Sequence, residues 1–224
     1  LFLDNVLKVF GGLKAVAGVT FSVEPQQIFG LIGPNGAGKT TVFNVVTGVY
    51  PPDGGRVVFD GEDISGQSPA KVAARGIART FQNIRLFRSM TVEQNVMVAG
   101  FRIHKAGLLS AVLRNQRYQD DEREFKRRAT ELLEIFKLRD LAGEQADSLP
   151  YGSQRRLEIA RALMLSPKLL LLDEPAAGMN SQEARALEKQ IRFLRDEMKL
   201  TVVLVEHNMS VVMAVCENIH VVDN

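Results

Sequence analysis

Short apolar runs recur near both ends of the chain and predict buried β-strands. They cover residues 28–32, 57–59, 169–172, 201–205 and 219–222. Several are aliphatic without alternation, which is typical of parallel strands covered on both faces. Between two of the later runs, apolar residues recur every three or four positions and predict a helix with one buried face, formed by Ala184, Leu187, Ile191, Leu194 and Met198. Because strands and helices alternate, the pattern predicts an α/β fold with a parallel sheet.

The middle of the chain has a different pattern. From about residue 91 to residue 143 no strand-like run occurs, whereas apolar residues recur at helical spacing with charges between them. This stripe consists of Phe125, Ala129, Leu132, Leu133 and Phe136. We interpret the region as a helical subdomain inserted into the α/β body. The predicted division is an α/β core at residues 1–90 and 155–224, with the insert at residues 91–154.

Composition and charge limit the class of protein. Of the 224 residues, 46% are hydrophobic and 24% are charged, as in ordinary globular domains. The aliphatic runs are far shorter than the roughly 18 residues that cross a bilayer, and no secretory signal opens the chain, so we expect a soluble protein inside the cell. The net charge of +2 gives no reason to expect a nucleic-acid partner. The single cysteine, Cys216, excludes an internal disulfide and is interpreted as a small buried residue.

A glycine-rich segment after the first predicted strand matches the P-loop pattern of phosphate-binding proteins. The candidate ATP-binding residues are Gly33, Pro34, Asn35, Gly36, Ala37, Gly38, Lys39, Thr40 and Thr41. Glycines allow backbone N–H groups to surround phosphate oxygens, and the following helix directs its positive end at the same anion. Lys39 would reach the β- and γ-phosphates, and the Thr40 hydroxyl would bind Mg²⁺. A loop that merely turns the chain would need neither the lysine nor the threonine.

Two adjacent carboxylates follow the predicted strand at residues 169–172. Asp173 is placed to hold Mg²⁺, and Glu174 can act as the general base that polarises the water attacking the γ-phosphate. Adjacent acids at the end of a strand could instead cap a helix, which is the alternative interpretation. The P-loop elsewhere in the chain favours the catalytic one.

With these two motifs and three further strings, the chain resembles the ATP-binding cassette (ABC) ATPases over nearly its whole length. The further strings are Thr80-Phe81-Gln82, which is similar to the Q-loop, Leu149 to Arg156, which is similar to the signature motif, and Glu206-His207, which is similar to the switch histidine. All five elements occur in the order and spacing of the family. The resemblance implies a P-loop NTPase fold with a mostly parallel core sheet, an antiparallel β portion near the N-terminus and an inserted helical subdomain that carries the signature.

The resemblance also implies roles for single residues. Gln82 would contact Mg²⁺ or the attacking water, and His207 would hydrogen-bond the γ-phosphate. Phe10 occupies the position of the aromatic residue that packs against adenine, although it could also be a core phenylalanine. Asn180 stands where many members carry an aspartate of the D-loop. The implied sets are Glu174, His207, Gln82 and Lys39 for catalysis, and Thr40, Gln82 and Asp173 for the metal.

In this family the signature serves the nucleotide of a second ATPase domain, because two domains pack head to tail. The implied contacts are Tyr151, Gly152, Ser153 and Gln154, with a helix that starts near Arg155. The sequence departs from the family's Leu-Ser-Gly-Gly-Gln pattern, since Pro150 replaces the serine and Ser153 replaces the glutamine. Proline removes a hydroxyl and an N–H group. We therefore hypothesise a heterodimer with two unequal sites, although a homodimer stays open.

Within the family, three strings that start at Phe10, Arg79 and Tyr151 resemble the ATPases of branched-chain amino acid importers. The implied partners are a second ATPase, two membrane permeases and, indirectly, a solute-binding protein. The implied location is the cytoplasmic face of the inner membrane, and residues 81–95 would receive a permease's coupling helix. The alternatives are an ABC exporter or lipid-extraction ATPase, a soluble ABC ATPase, and a non-catalytic binding module. Intact Glu174 and His207 disfavour the last of these.

Overall fold

The computed structural model describes residues 1–100 and 116–223. These divide into two compact units, one formed by Leu1–Gln82 and Pro167–Asn224 and the other by Asn83–Ser166. The limits differ from the predicted ones at residues 90 and 155, and the assignment of domains stays a prediction. Within the described residues, no helix is both long enough and apolar enough to span a bilayer.

The first unit contains an antiparallel and a parallel sheet. The antiparallel sheet has the order β2-β1-β4-β5 and consists of β1 (Phe2–Phe10), β2 (Leu13–Ser22), β4 (Gly54–Phe59) and β5 (Glu62–Asp63). The parallel sheet has the order β6-β7-β8-β3-β9 and consists of β3 (Ile28–Ile32), β6 (Ile77–Arg79), β7 (Leu169–Asp173), β8 (Thr201–Val205) and β9 (Asn218–Val221). The predicted α/β class, with an antiparallel portion near the N-terminus, is confirmed.

Four helices accompany these sheets in the described part of the first unit. They are α1 (Lys39–Val46), α2 (Pro69–Ala74), α6 (Ser181–Asp196) and α7 (Met209–Val215). The apolar face predicted for α6 is buried at Ala184, Leu187, Ile191 and Leu194. An Asn180 capping box begins this helix, because the Asn180 side chain accepts from Gln182 N and Glu183 N while Glu183 bonds back to Asn180 N. The residue at the D-loop position therefore also fixes the start of α6.

Two inner strands of the parallel sheet, β7 and β8, are buried along their whole length. This burial explains the unbroken aliphatic runs at both strands. In the parallel register, Leu31 of β3 and Asp173 of β7 both pair with Val205 of β8. The three strands thus end at the same level, and the chain segments that follow them emerge at one edge of the sheet.

The described part of the second unit has only helices as regular elements. These are α3 (Val92–Gly100), α4 (Gln116–Ile135) and α5 (Tyr151–Leu163), with 3₁₀ turns at Arg139–Leu141 and Ala146–Ser148. The predicted stripe is buried at Ala129, Leu132, Leu133 and Phe136, so the helical interpretation is confirmed there. Residues 101–115 of the predicted insert lie outside the described residues. The helix predicted to start near Arg155 begins one turn earlier, since Pro150 is its N-cap.

Cys216 lies at the end of α7 and is partly buried. Burial raises the pKa of its thiol to about 12, so the side chain is protonated at neutral pH. A Cβ atom added to Gly30 on β3 would lie 3.1 Å from the Sγ atom of Cys216. The residue therefore acts by packing against β3, in agreement with the sequence interpretation.

Candidate functional site

The P-loop joins β3 to α1 in a conformation that requires glycine. Gly38 has φ 87° and Gly33 has φ 151°, both outside the range that other residues readily adopt. A Cβ at Gly38 would lie 2.0 Å from Ala15 O, and one at Gly33 would lie 2.2 Å from Val222 O. Gly38 also forms the N-cap of α1 without a side-chain cap, so the first N–H groups of this helix are left to an outside acceptor. This is the arrangement that binds phosphate.

Lys39 is the first residue of α1, and its side chain reaches back to the loop that precedes the helix. Its Nζ donates to Gly33 O and Pro34 O, both at 2.8 Å, and the side chain is buried. Burial lowers the pKa of Lys39, while the charges of Glu174 and Asp173 act in the opposite direction. Thr40, the next residue, is exposed. A phosphate oxygen would be a stronger acceptor for the ammonium group than these two carbonyls.

Asp173 ends β7 with a side chain that is only 1% exposed. Its Oδ2 accepts from Arg79 Nη2 at 2.8 Å, whereas its Oδ1 is buried and has no hydrogen-bond partner. Neither Asp173 nor Glu174 caps a helix, because the next helix begins at Ser181. The helix-cap alternative is therefore wrong. A buried carboxylate oxygen without a donor suits a hard cation or the water bound to one.

Glu174 is the centre of the predicted catalytic cluster. Its Oε2 accepts from Gln82 Nε2 at 2.9 Å, and its Oε1 lies 3.1 Å from His207 Nε2. The backbone turns sharply here, with φ 48°, while Glu174 N still donates to Val205 O. The side chain is 18% exposed, so it remains open to solvent on one side. Three residues that are far apart in the sequence thus meet at one carboxylate, where a water can be polarised.

Glu206 is a structural residue of the site that the sequence prediction quoted without giving it a role. Its buried carboxylate accepts from Ala176 N at 2.6 Å, from His207 N at 3.0 Å and from Asn208 N at 3.2 Å. The three bonds tie the end of β8 to the turn after Glu174 and hold His207 beside it. In the sequence, the one feature that could have indicated this role is the position of Glu206 at the end of a strand, directly before the candidate catalytic residue His207.

Phe10 lies at the end of β1 with 41% of its surface exposed, so the alternative of a core phenylalanine is wrong. Its ring contacts the exposed Tyr50 in a T-shaped arrangement with centroids 5.1 Å apart. Lys8 Nζ lies 5.4 Å from the centre of the same ring. Nothing in the sequence indicated Tyr50, because it lies 40 positions from Phe10 and the two rings come into contact only in the folded chain. The exposed ring offers an apolar face to a flat ligand.

The signature residues belong to the second unit and begin α5. Tyr151 is exposed, and its hydroxyl accepts from Arg155 Nε at 3.2 Å. Ser153 is buried, with its Oγ accepting from Arg156 Nη2 at 2.9 Å, and Gln154 Nε2 donates to Leu149 O at 2.8 Å. Because Pro150 provides no side-chain cap, the first turn of this helix lacks the hydroxyl that a serine would supply.

A buried amide organises the loop before α3 in the same unit. Asn95 Oδ1 accepts from Phe87 N at 2.9 Å, and Asn95 Nδ2 donates to Phe87 O, Met90 O and Thr91 O at 3.0 to 3.3 Å. Phe87 is itself half exposed and packs against Arg161, whose guanidinium lies 5.7 Å from the ring centre. Asn95 thus gives a fixed shape to a loop that presents an aromatic ring to solvent.

The donor set bears on which metal the site could hold. Among the described residues, no cluster of three or more His, Cys, Asp or Glu side chains could enclose an ion. Mg²⁺ usually binds through one or two carboxylates together with the phosphates of its substrate, so it needs no such cluster. The Thr40 hydroxyl and the unpartnered Asp173 Oδ1 are oxygen donors of the kind it prefers.

Comparison with known proteins agrees with these geometric features. The sequence matches the family model described as ABC transporter over residues 16–177. It is 47% identical over 214 residues to the high-affinity branched-chain amino acid transport ATP-binding protein BraF of Pseudomonas aeruginosa, covering 96% of this chain and 84% of that protein. It is 44% identical over 223 residues to the similarly described LivG of Escherichia coli, covering 100% and 88%. A solved nucleotide-free ATP-binding cassette from an ABC transporter has a TM-score of 0.86 at 33% identity, covering 99% of this chain and 86% of that chain.

Proposed function

This chain belongs to the ABC transporter family, and we propose that it is the ATP-hydrolysing subunit that powers a membrane importer of branched-chain amino acids. Nucleotide binding and ATPase activity follow from the family, and the solute is inferred from the relatives named BraF and LivG. The observation that carries hydrolysis is the placement of Glu174 between Gln82 and His207 at the sheet edge that also bears the P-loop.

Each part of the site has a distinct task in the proposed reaction. The N–H groups at the start of α1 and the Lys39 ammonium bind the phosphates. Thr40, Asp173 and Gln82 would hold Mg²⁺, which neutralises charge on the phosphates when it is bound. Glu174 accepts the proton of the attacking water, and His207 hydrogen-bonds the γ-phosphate. The Gln82 amide donates to Glu174, so it is oriented toward the position that this water would take.

The proposed active form contains two ATPase domains. The signature residues Tyr151, Gly152, Ser153 and Gln154 would complete the phosphate site of the second ATPase. The N–H groups of Ser153 and Gln154 donate to Pro150 O, so those of Tyr151 and Gly152 are the ones that would donate to that γ-phosphate. Pro150 supplies no hydroxyl, and Ser153 Oγ is already bonded to Arg156. We therefore propose two unequal nucleotide sites. The site on the partner, which this chain's signature completes, is the weaker one, and the site on this chain, which the partner's signature completes, is the stronger one.

The proposed complex also contains two permeases and, outside the membrane, a solute-binding protein. The chain would bind to the cytoplasmic face of the membrane through its permeases. The loop that Asn95 holds, with Phe87 exposed, is the proposed contact for a coupling helix of the permease. Apolar rings on a rigid loop are favourable centres for such an interface.

Co-purification and transport test this function directly. A tagged chain isolated from detergent-solubilised membranes should carry two permeases and a second ATPase, identifiable by mass spectrometry. In proteoliposomes with the solute-binding protein added, this complex should take up labelled leucine only when ATP is present. A Glu174→Gln complex should assemble normally and transport nothing, which separates assembly of the complex from the ATP hydrolysis that drives transport. Recovery of the chain without any membrane protein would contradict the proposal. ATP-driven export of the solute would show that the complex is an exporter and not an importer.

Substituting Phe10 should separate recognition of adenine from recognition of phosphate. In Phe10→Ala, loss of the exposed ring should weaken ATP binding about tenfold, because stacking of a base on an aromatic ring contributes roughly 1–3 kcal/mol. Binding of inorganic triphosphate should be unchanged. Calorimetric titration with both ligands measures the difference, and Phe193→Ala, at another exposed ring, is the matched control. Equal losses for ATP and triphosphate would mean that Phe10 supports the loop rather than the base.

A further inference from the structure

Arg79 ends β6 with a side chain that is only 6% exposed, although it carries a charge. Its Nη2 donates to Asp173 Oδ2 at 2.8 Å, and its Nη1 donates to Asn44 Oδ1 at 2.6 Å. Its Nε is buried without a hydrogen-bond partner. Both terminal nitrogens of the guanidinium therefore hold specific acceptors on two other elements, β7 and α1.

Two aromatic rings fix the guanidinium further. The Arg79 Cζ atom lies 5.4 Å from the ring centre of Phe43 on α1 and 5.1 Å from that of Phe81. These are cation–π distances, and contacts on the rings restrict rotation of the group. Phe81 directly precedes Gln82, whose amide bonds Glu174. The same guanidinium is thus in contact with the residue before the predicted Q-loop glutamine.

The acceptors of Arg79 lie next to the residues predicted to bind the metal. Asn44 follows Thr40 by four positions on α1, so the two lie on the same side of the helix. Asp173 is itself one of the predicted ligands. Because Arg79 occupies Asp173 Oδ2, the carboxylate is held with Oδ1 as the oxygen left without a partner.

We propose that Arg79 is a positioning residue for the Mg²⁺ of the nucleotide: it sets the orientation of Asp173 and ties the strand that ends at Asp173 to the helix that carries Thr40. This inference rests on the proposed function of the site, since it concerns metal bound with nucleotide. In this role Arg79 acts through its bonds to Asp173 and Asn44. Groups that orient a metal ligand in this way typically change metal affinity by about 10–100-fold when they are removed.

A merely structural role would have a different consequence. A buried ion pair commonly adds little net stability over apolar side chains of similar volume, because both charges lose their hydration. If Arg79 only filled space and paired a charge, its loss would destabilise the fold and leave the dependence on Mg²⁺ unchanged in the molecules that remain folded. The concentration of Mg²⁺ that half-saturates nucleotide binding therefore distinguishes the two roles.

The test measures binding of ADP by calorimetry over a range of Mg²⁺ concentrations and in EDTA, so that no turnover is involved. We expect Arg79→Met to raise the half-saturating Mg²⁺ concentration at least about tenfold, while ADP affinity in EDTA stays within about twofold. Arg79→Lys keeps the charge but cannot bridge both acceptors, so its increase should be smaller but measurable, about threefold or more. Arg56→Met removes the arginine of an exposed Arg–Asp pair with Asp4 and should leave the value unchanged.

The outcomes separate this inference from the proposed function. If the unmodified chain binds ADP without any effect of Mg²⁺, the proposed metal site itself is wrong. If the unmodified chain depends on Mg²⁺ and folded Arg79→Met has an unchanged or lower half-saturating concentration, the role of Arg79 is overturned. Should Arg79→Met fail to fold, an unchanged value in Arg79→Lys overturns it equally.

Discussion

Replacing Glu174 with Gln should slow ATP hydrolysis by about 10²–10⁴-fold while ATP affinity stays within roughly threefold. The amide cannot accept the proton of the attacking water, so the loss falls on the chemical step. The amide oxygen can still accept from Gln82 Nε2, and the amide NH₂ can donate to His207 Nε2 when the imidazole carries its proton on Nδ1, so both contacts around the side chain can be kept. Phosphate release under single-turnover conditions measures the rate, and equilibrium titration measures the affinity.

The matched control is Glu197→Gln, which makes the same chemical change at an exposed position after α6. Its hydrolysis rate should equal that of the unmodified chain. If Glu174→Gln hydrolyses ATP at the unmodified rate, Glu174 is not the general base. If instead its ATP affinity falls by the same factor as its rate, the carboxylate contributes to binding and not selectively to the transition state.

Features whose evidence is local could be predicted from the sequence. The glycines and lysine of the P-loop have a fixed spacing, and the aliphatic run before Asp173 reflects a strand buried on both faces. Together with the strings similar to the Q-loop, the signature and the switch histidine, they gave the resemblance to ABC ATPases, and comparison with solved structures confirms the fold that this resemblance implied. The predicted helix face on α6 is equally local, because its apolar residues lie three or four positions apart.

Features that depend on contacts between distant segments could not be predicted. The strands β1 and β2 were not identified as elements, because each has only one buried face and their register shifts at irregular positions. The three-residue strand β6 is too short to give a pattern. The bond from Arg79 to Asp173 joins residues 94 positions apart, so nothing in either neighbourhood indicates it. For Glu206 the sequence offers only its position before His207, and the bond from Ala176 N, 30 positions away, depends on folding.

Replacing Lys39 with Ala should weaken ATP binding by about 10–150-fold. Hydrogen bonds to a charged group contribute roughly 1.5–3 kcal/mol each, and 1.4 kcal/mol corresponds to a factor of ten in affinity. The ammonium group donates to Gly33 O and Pro34 O, so its loss removes bonds within the loop as well. Titration with a fluorescent ATP analogue measures the affinity directly.

The same variant should lose most of the rise in melting temperature that ATP gives the unmodified chain, since stabilisation by a ligand follows its affinity. Lys189→Ala, at an exposed lysine of α6, should keep both the affinity and the thermal shift. A variant that melts normally without ATP and has lost its response to ATP separates binding from folding. Unchanged affinity in folded Lys39→Ala would refute the phosphate role, because Lys39 is the cation that the P-loop itself supplies, and its buried position beside the loop carbonyls would then be purely structural.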